Sequence, residues 1–193
     1  MEKTNFLQKE LYLHKGAAVA QWQQTPPLAI KADFGQAAAF YENSLAAARA
    51  FYEKSLCEAA KSAYEADENP KKRFSFVRFA ATYSAVIIYE DEGVLSVFRT
   101  FAWKRGADVL AEYRFAEVWA RGGVLLPAFC FCEKKALQKA AKAAKLSLRA
   151  LQKADFYIKG EQLVFLTPKG DACVLRTFKE IPSFFTNKAK KHL

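Results

Sequence analysis

The chain has 193 residues, 52% of them hydrophobic and 26% charged, with 17 Phe. A chain of that length buries about 70% of its unfolded surface, so it needs no disulfide or metal to fold, and its composition is too apolar for a disordered protein. The net charge of +10 favours anionic partners without choosing among nucleic acid, phosphorylated surfaces, anionic cell-wall polymer and acidic protein.

Residues 1–31 form an N-terminal extended segment, strand-like over Leu11–Trp22 and broken by Pro26-Pro27. They lack an apolar core of signal-peptide length, because Lys9, Glu10 and Lys15 interrupt it. No apolar run is long enough to span a bilayer. The expectation is a cytoplasmic protein, or an extracytoplasmic one had a leader been removed.

Asp33 is placed to cap a helix running to about Glu65. Tyr41, Leu45, Ala48, Tyr52, Leu56, Ala59 and Ala63 recur at three- and four-residue steps and predict one apolar stripe. The tyrosine rings should cover a sheet with their hydroxyls at its rim. Asp67–Lys72 is a polar break. From Phe74 the period becomes two, through Phe76, Tyr83, Ala85, Ile87 and Tyr89.

Turns at Glu90–Gly93, Arg105–Asp108 and Gly122-Gly123 then separate strands over Val94–Lys104, Val109–Ala120 and Leu125–Cys132. In RFAEVWARGGVLL, Trp119 and its neighbours Ala116 and Val118 divide between two strand faces, one of them buried. Glu133–Ala154 is a second helix. Strands Phe156–Pro168 and Ala172–Glu180 follow, joined by KGD, and the basic tail 186–193 frays. The fold class is α+β: an antiparallel meander sheet with a long helix packed on it and a second helix inserted before the last hairpin, as a single domain over 1–193.

Three stretches carry a family likeness: EYRFAEVWARGGVLLPAFCF; DFYIKGEQLVFLTPKG with the following KEIP; and the long helix ahead of FSFVRFAATYSAVIIYEDEGVLSVFRTF. In this order they resemble the RsiV-type domain, over roughly Ala32 to Pro182. That domain forms the C-terminal part of the anti-sigma factor RsiV, is appended to the peptidoglycan deacetylase PdaC, and occurs as stand-alone proteins of Firmicutes. The resemblance implies a non-enzymatic binding or sensing domain for a macromolecule, protein or cell-wall glycan. In RsiV the domain binds lysozyme; a chain of charge +10 would repel so basic a partner, and that partner is not carried over. Where the family has a Gly-Gly-Ala-His-Gly turn this chain reads KRGAD, Lys104 to Asp108, without the His. The last hairpin also lacks a Pro-Tyr-rich segment.

The residues name no catalytic, cofactor-binding or metal-binding group. Cys57 and Cys173 have no His in a recognisable order. Cys130 and Cys132 would need more ligands than His14 and His192, the only histidines, can supply. Glu90, Asp91 and Glu92 read as a solvated turn. The candidate anion-binding residues are Lys134, Lys135, Lys139, Lys142, Lys145, Arg149 and Lys153, spread along the second helix opposite a narrow apolar stripe. No aromatic residue accompanies them for base stacking. Nucleic acid or another polyanion is therefore an alternative partner, and a cell-wall enzyme with an unrecognised site a second alternative.

Overall fold

The computed structural model describes residues 8–73, 77–91, 93–168 and 170–176. Phe74, Phe76, Glu92, the KEIP stretch, His192 and the basic tail lie outside them. The elements in order are strands β1 (Gln8–His14) and β2 (Ala17–Gln24), helices α1 (Gly35–Phe51), α2 (Cys57–Glu65) and α3 (Pro70–Arg73), and strands β3 (Phe79–Asp91), β4 (Val94–Arg105), β5 (Asp108–Ala120) and β6 (Val124–Leu125). Helices α4 (Lys134–Ala143) and α5 (Leu148–Lys153) and strands β7 (Phe156–Lys159), β8 (Gln162–Phe165) and β9 (Ala172–Leu175) follow among the described residues. A six-stranded sheet has the order β1-β2-β3-β4-β5-β6, and a three-stranded sheet the order β7-β8-β9. This is the expected α+β class, with a sheet dominated by antiparallel pairs.

The β1–β2 hairpin turns through Lys15-Gly16, both at positive φ (48° and 81°), as a two-residue primed turn requires. The pair β2–β3 is parallel, which a meander does not contain. Residues 25–78 carry α1–α3 and supply the crossover that a parallel pair needs. Gln8–His14 and Ala17–Gln24 of the N-terminal segment are thus strands of the sheet.

The chain divides into two units, residues 1–29, 39–85 and 99–113, and residues 30–38, 86–98 and 114–193. In the first unit the long helix lies on the sheet. Tyr41, Ala48, Tyr52 and Leu56 are buried as the stripe predicts, and then the phase slips: Cys57, Ala60 and Tyr64 are buried while Ala59 is exposed. A π-helical turn at Tyr52–Leu56 causes the slip. Its i to i+5 bonding adds one residue per turn and advances the buried face by one position. Trp22 meets Tyr52 at a ring-centroid distance of 5.4 Å. The Tyr52 hydroxyl is buried and does not reach the rim. Arg49 lies 5.4 Å over the Trp22 ring, salt-bridged to Glu10 and to Glu53 at 2.7 Å. At the far end His14 bonds Glu65 at 3.1 Å and packs edge-on to Tyr64.

Asp33 does not cap the helix. It lies in a 3₁₀ turn, Ala32–Phe34, that precedes α1, and in the second unit its carboxylate pairs with Arg121 at 3.3 Å while its carbonyl accepts from the Gly122 N–H. Gly123 is held at φ 79°, and a Cβ there would lie within 2.6 Å of Gln36. Both demands fix glycine at the second position of this corner.

The second unit's core joins Val94 and Val118 to Phe131, Leu137, Leu151, Phe156, Ile158, Leu163 and Phe165. The Ile158 N–H donates to the Ser96 hydroxyl at 3.0 Å, which satisfies a buried backbone donor. Ala116, Val118 and Trp119 are all buried, so both faces of β5 are covered at this end.

Three sequence expectations fail here. Leu125–Cys132 is not a strand: β6 stops at Leu125, and a 3₁₀ turn, Ala128–Cys130, follows Pro127, which lacks the N–H that a ladder uses. Phe156–Pro168 is not one strand but the β7–β8 hairpin, turning at Gly160 with φ 57°.

The second helix is also two helices. α4 ends in a Schellman motif, in which Leu146 N–H donates to the Ala141 carbonyl at 2.9 Å and Lys145 N–H to that of Lys142 at 3.1 Å. Ser147 then caps α5 by accepting from the Ala150 N–H at 3.1 Å. The left-handed C′ position, usually glycine, is Lys145 at φ 54°. Replacing it removes a Cβ clash of about 1 kcal/mol, so K145G should raise stability by about that amount. Urea unfolding with unchanged slope would measure it.

Candidate binding surfaces

The structure places all seven candidate cations on the surface: Lys134, Lys135, Lys139 and Lys142 on α4, Lys145 in the turn, and Arg149 and Lys153 on α5. They occupy two helical segments and not one continuous stripe. Within each segment Lys135 and Lys139, Lys139 and Lys142, and Arg149 and Lys153 stand three or four apart and face the same side. Among the described residues none of the seven forms an ion pair, whereas Arg49, Arg114 and Arg121 each hold a carboxylate.

Beside α4 lies an open cavity of about 480 Å³, lined by Ala140, Ala143, Ala144 and Lys145 and by Asp171 and Cys173 of the β8–β9 connection and β9. Asp171 is engaged by Arg114 at 2.8 Å.

A second surface belongs to the first unit, and no sequence motif marks it. Phe101 and Trp103, two apart on β4, share a face. Trp103 meets Phe51 of α1 at 4.7 Å, Phe101 at 5.3 Å and Tyr113 of β5 at 5.5 Å. The rings run from the core outward as a ledge: Trp22 is fully buried, Phe101 and Trp103 are half-buried, and Tyr113 is 49% exposed. Val109, four residues before Tyr113 on β5, is 63% exposed. The turn between the strands is pinned where Gly106 N–H donates to the Arg78 carbonyl at 2.6 Å and Arg105 stacks over Phe79. This is the KRGAD turn, and it presents no histidine. The only sequence signal for the ledge is the Phe101/Trp103 alternation, since Phe51 and Tyr113 join it through tertiary packing.

Reactive groups are few. All four cysteines are free, and only Cys173 is exposed. Burial pushes the Cys130 and Cys132 thiols up to about 11, which leaves them protonated and poorly nucleophilic. Among the described residues no group of three or more His, Cys, Asp or Glu is arranged to hold a metal ion, and no helix is long and apolar enough to cross a membrane.

No protein-family model matches the sequence, and no curated protein does. The solved structures do contain similar folds. A member of the DUF3298 family from Bacteroides fragilis superposes with a TM-score of 0.52 at 11% identity, over 89% of this chain and 88% of its own. A DUF3298 protein from Pseudomonas aeruginosa PAO1 gives a TM-score of 0.47 at 12% identity, over 95% and 91%. DUF3298 is the family of the RsiV C-terminal and PdaC-type domains, so the fold that the sequence resemblance implies is the one the structure has.

Proposed function

We propose that this chain is a non-enzymatic binding module that takes a macromolecular partner, a protein or a cell-wall glycan, on the aromatic ledge of Phe51, Phe101, Trp103 and Tyr113. The observation that carries the reading is Tyr113, half in water at the end of a ring series rooted in the core. Tryptophan and tyrosine anchor interfaces because a large, rigid apolar face is buried at little entropic cost. A contiguous apolar patch on a folded surface marks an interaction site. The fold of DUF3298 proteins is compatible with this reading, and the protonated buried thiols are unsuited to nucleophilic catalysis.

Trp103 also supplies the assay. Trp22 and Trp119 are buried, so a ligand on the ledge changes the emission of Trp103 alone. Titration with soluble peptidoglycan fragments should quench it, and W103A/Y113A should abolish both the signal and co-sedimentation with insoluble cell wall. If cell-wall material gives neither signal while the ledge captures a protein in the native cell, the partner is a protein. If the ledge variants bind every partner as the wild type does, the reading fails.

The cations of 134–153, which form no ion pair among the described residues, favour a second reading, polyanion binding. Heparin affinity should then fall linearly on a log–log scale with salt as counterions are released. Charge reversal at Lys139, Lys142 and Lys145 should abolish binding without loss of thermal stability, since mutual repulsion costs about a few tenths of a kcal/mol per close pair.

A further inference from the structure

We propose that the cavity beside the last turn of α4 is a binding site for one oxyanion group, phosphate, sulfate or carboxylate, with Lys145 as its cation. The proposal does not rest on the aromatic ledge, and it assigns to Lys145 a task that its six charged neighbours do not share.

Two residues other than glycine have positive φ among the described residues, Lys15 and Lys145. Lys15 has a local explanation, because its primed turn demands the conformation and its ammonium lies 3.6 Å from Glu65. The Schellman turn likewise accounts for the conformation of Lys145, but there glycine is the ordinary choice, and no carboxylate compensates the lysine among the described residues. A left-handed non-glycine residue persists where something over-determines it, and such residues cluster at ligand clamps. Here the strained residue lines the cavity of about 480 Å³, a volume within the range of ligand sites and large enough for an oxyanion with part of the group that carries it.

The electrostatics of the cavity suit an anion. A helix C-terminus ordinarily repels one, because its last carbonyls point outward. At this end the carbonyls of Ala140, Ala141 and Lys142 accept from the N–H groups of Ala144, Leu146 and Lys145, at 2.9, 2.9 and 3.1 Å. Among the described residues of the lining the one carboxylate, Asp171, is already held by Arg114. The alanine side chains of the α4 wall leave room for close approach, and Lys139 and Lys142 on the same helix add a field of the right sign.

Cys173, in the lining and the only exposed thiol, is a built-in reporter. The experiment measures binding of inorganic phosphate and of heparin by calorimetry, and alkylation of Cys173 by uncharged iodoacetamide, in the wild type, K145G, K145Q and K139Q. K145G relieves the strained turn and K145Q keeps it, so the charge is tested in both backbones.

Phosphate should slow Cys173 alkylation as it saturates the wild type. Both Lys145 variants should weaken phosphate binding by about tenfold or more, the loss expected for one charge-assisted hydrogen bond. K139Q, outside the cavity lining, should stay within about threefold. Binding of heparin alone, lost in both Lys145 variants and protecting Cys173, assigns the oxyanion to a polymer and keeps the site. Equal losses at Lys139 and Lys145 mean a diffuse field and overturn the proposal. So does affinity retained in K145Q, binding that leaves the alkylation rate unchanged, or no binding of either probe.

Discussion

Raising the pH from 8 to 11 should remove about 4–5 kcal/mol of stability that a C130A/C132A variant does not lose. Both thiols are buried in the second unit's core, and desolvation of the thiolate lifts each from an ordinary value of 9.0 to about 11. The sign follows from proton linkage. The folded state holds these protons more tightly than the unfolded chain, so the contribution is complete below pH 9 and drains away as pH rises toward the folded value. A tenfold difference in proton affinity between the two states is worth about 1.4 kcal/mol, which gives about 2 kcal/mol from each thiol by pH 11. Urea midpoints across this range, wild type against the double variant, isolate the thiols from the lysines and tyrosines that titrate alongside them. A parallel decline in the two proteins would show that Cys130 and Cys132 are not buried as described.

The second large effect is at Trp22. Trp22→Ala should cost about 3–5 kcal/mol, the range for emptying a buried aromatic site. Trp22 is fully buried, touches Tyr52 and Phe101, and forms the surface on which Arg49 stacks. Its loss would leave Arg49 and Glu10 partnered over a void. Trp103→Ala, at a half-buried site on the same face, should cost distinctly less stability while removing the ledge. Chemical unfolding of the two variants side by side checks the order, and a Trp103 variant as unstable as the Trp22 variant would place Trp103 in the core.

The meander from Phe79 to Ala120 is legible in the sequence because its information is local. Alternation at period two marks the strands, and Gly93, Gly106 and Gly122-Gly123 supply the positive φ at their turns. What is illegible depends on partners distant in sequence. The β1–β2 hairpin reads as extended chain, but nothing in Leu11–Trp22 says that it joins β3 in parallel. The π turn at Tyr52–Leu56 leaves the three- and four-residue steps of the sequence intact, and only packing against Trp22 reveals that Cys57 and not Ala59 faces inward. Pro127 could have ended the last meander strand on sequence grounds, since it removes a ladder donor in the middle of the apolar run.

Lys145 hides a helix break because the usual glycine is missing from the C′ position, and it reads as one stripe with the six cations on either side of it. The ledge draws Phe51, Trp103 and Tyr113 from a helix and two strands, and no spacing rule brings those positions together.

The proposal that this domain meets its partner on the Trp103–Tyr113 ledge has one decisive check. That check is site-specific photocrosslinking in the native cell, with the crosslinker at Val109, exposed on the strand that carries Tyr113, and, as a control, at exposed Gln152 on α5. The expected result is a discrete high-mass adduct, protein or glycan, from position 109 that W103A/Y113A eliminates and position 152 does not reproduce. No adduct from position 109, or the same adduct from both positions, would contradict it.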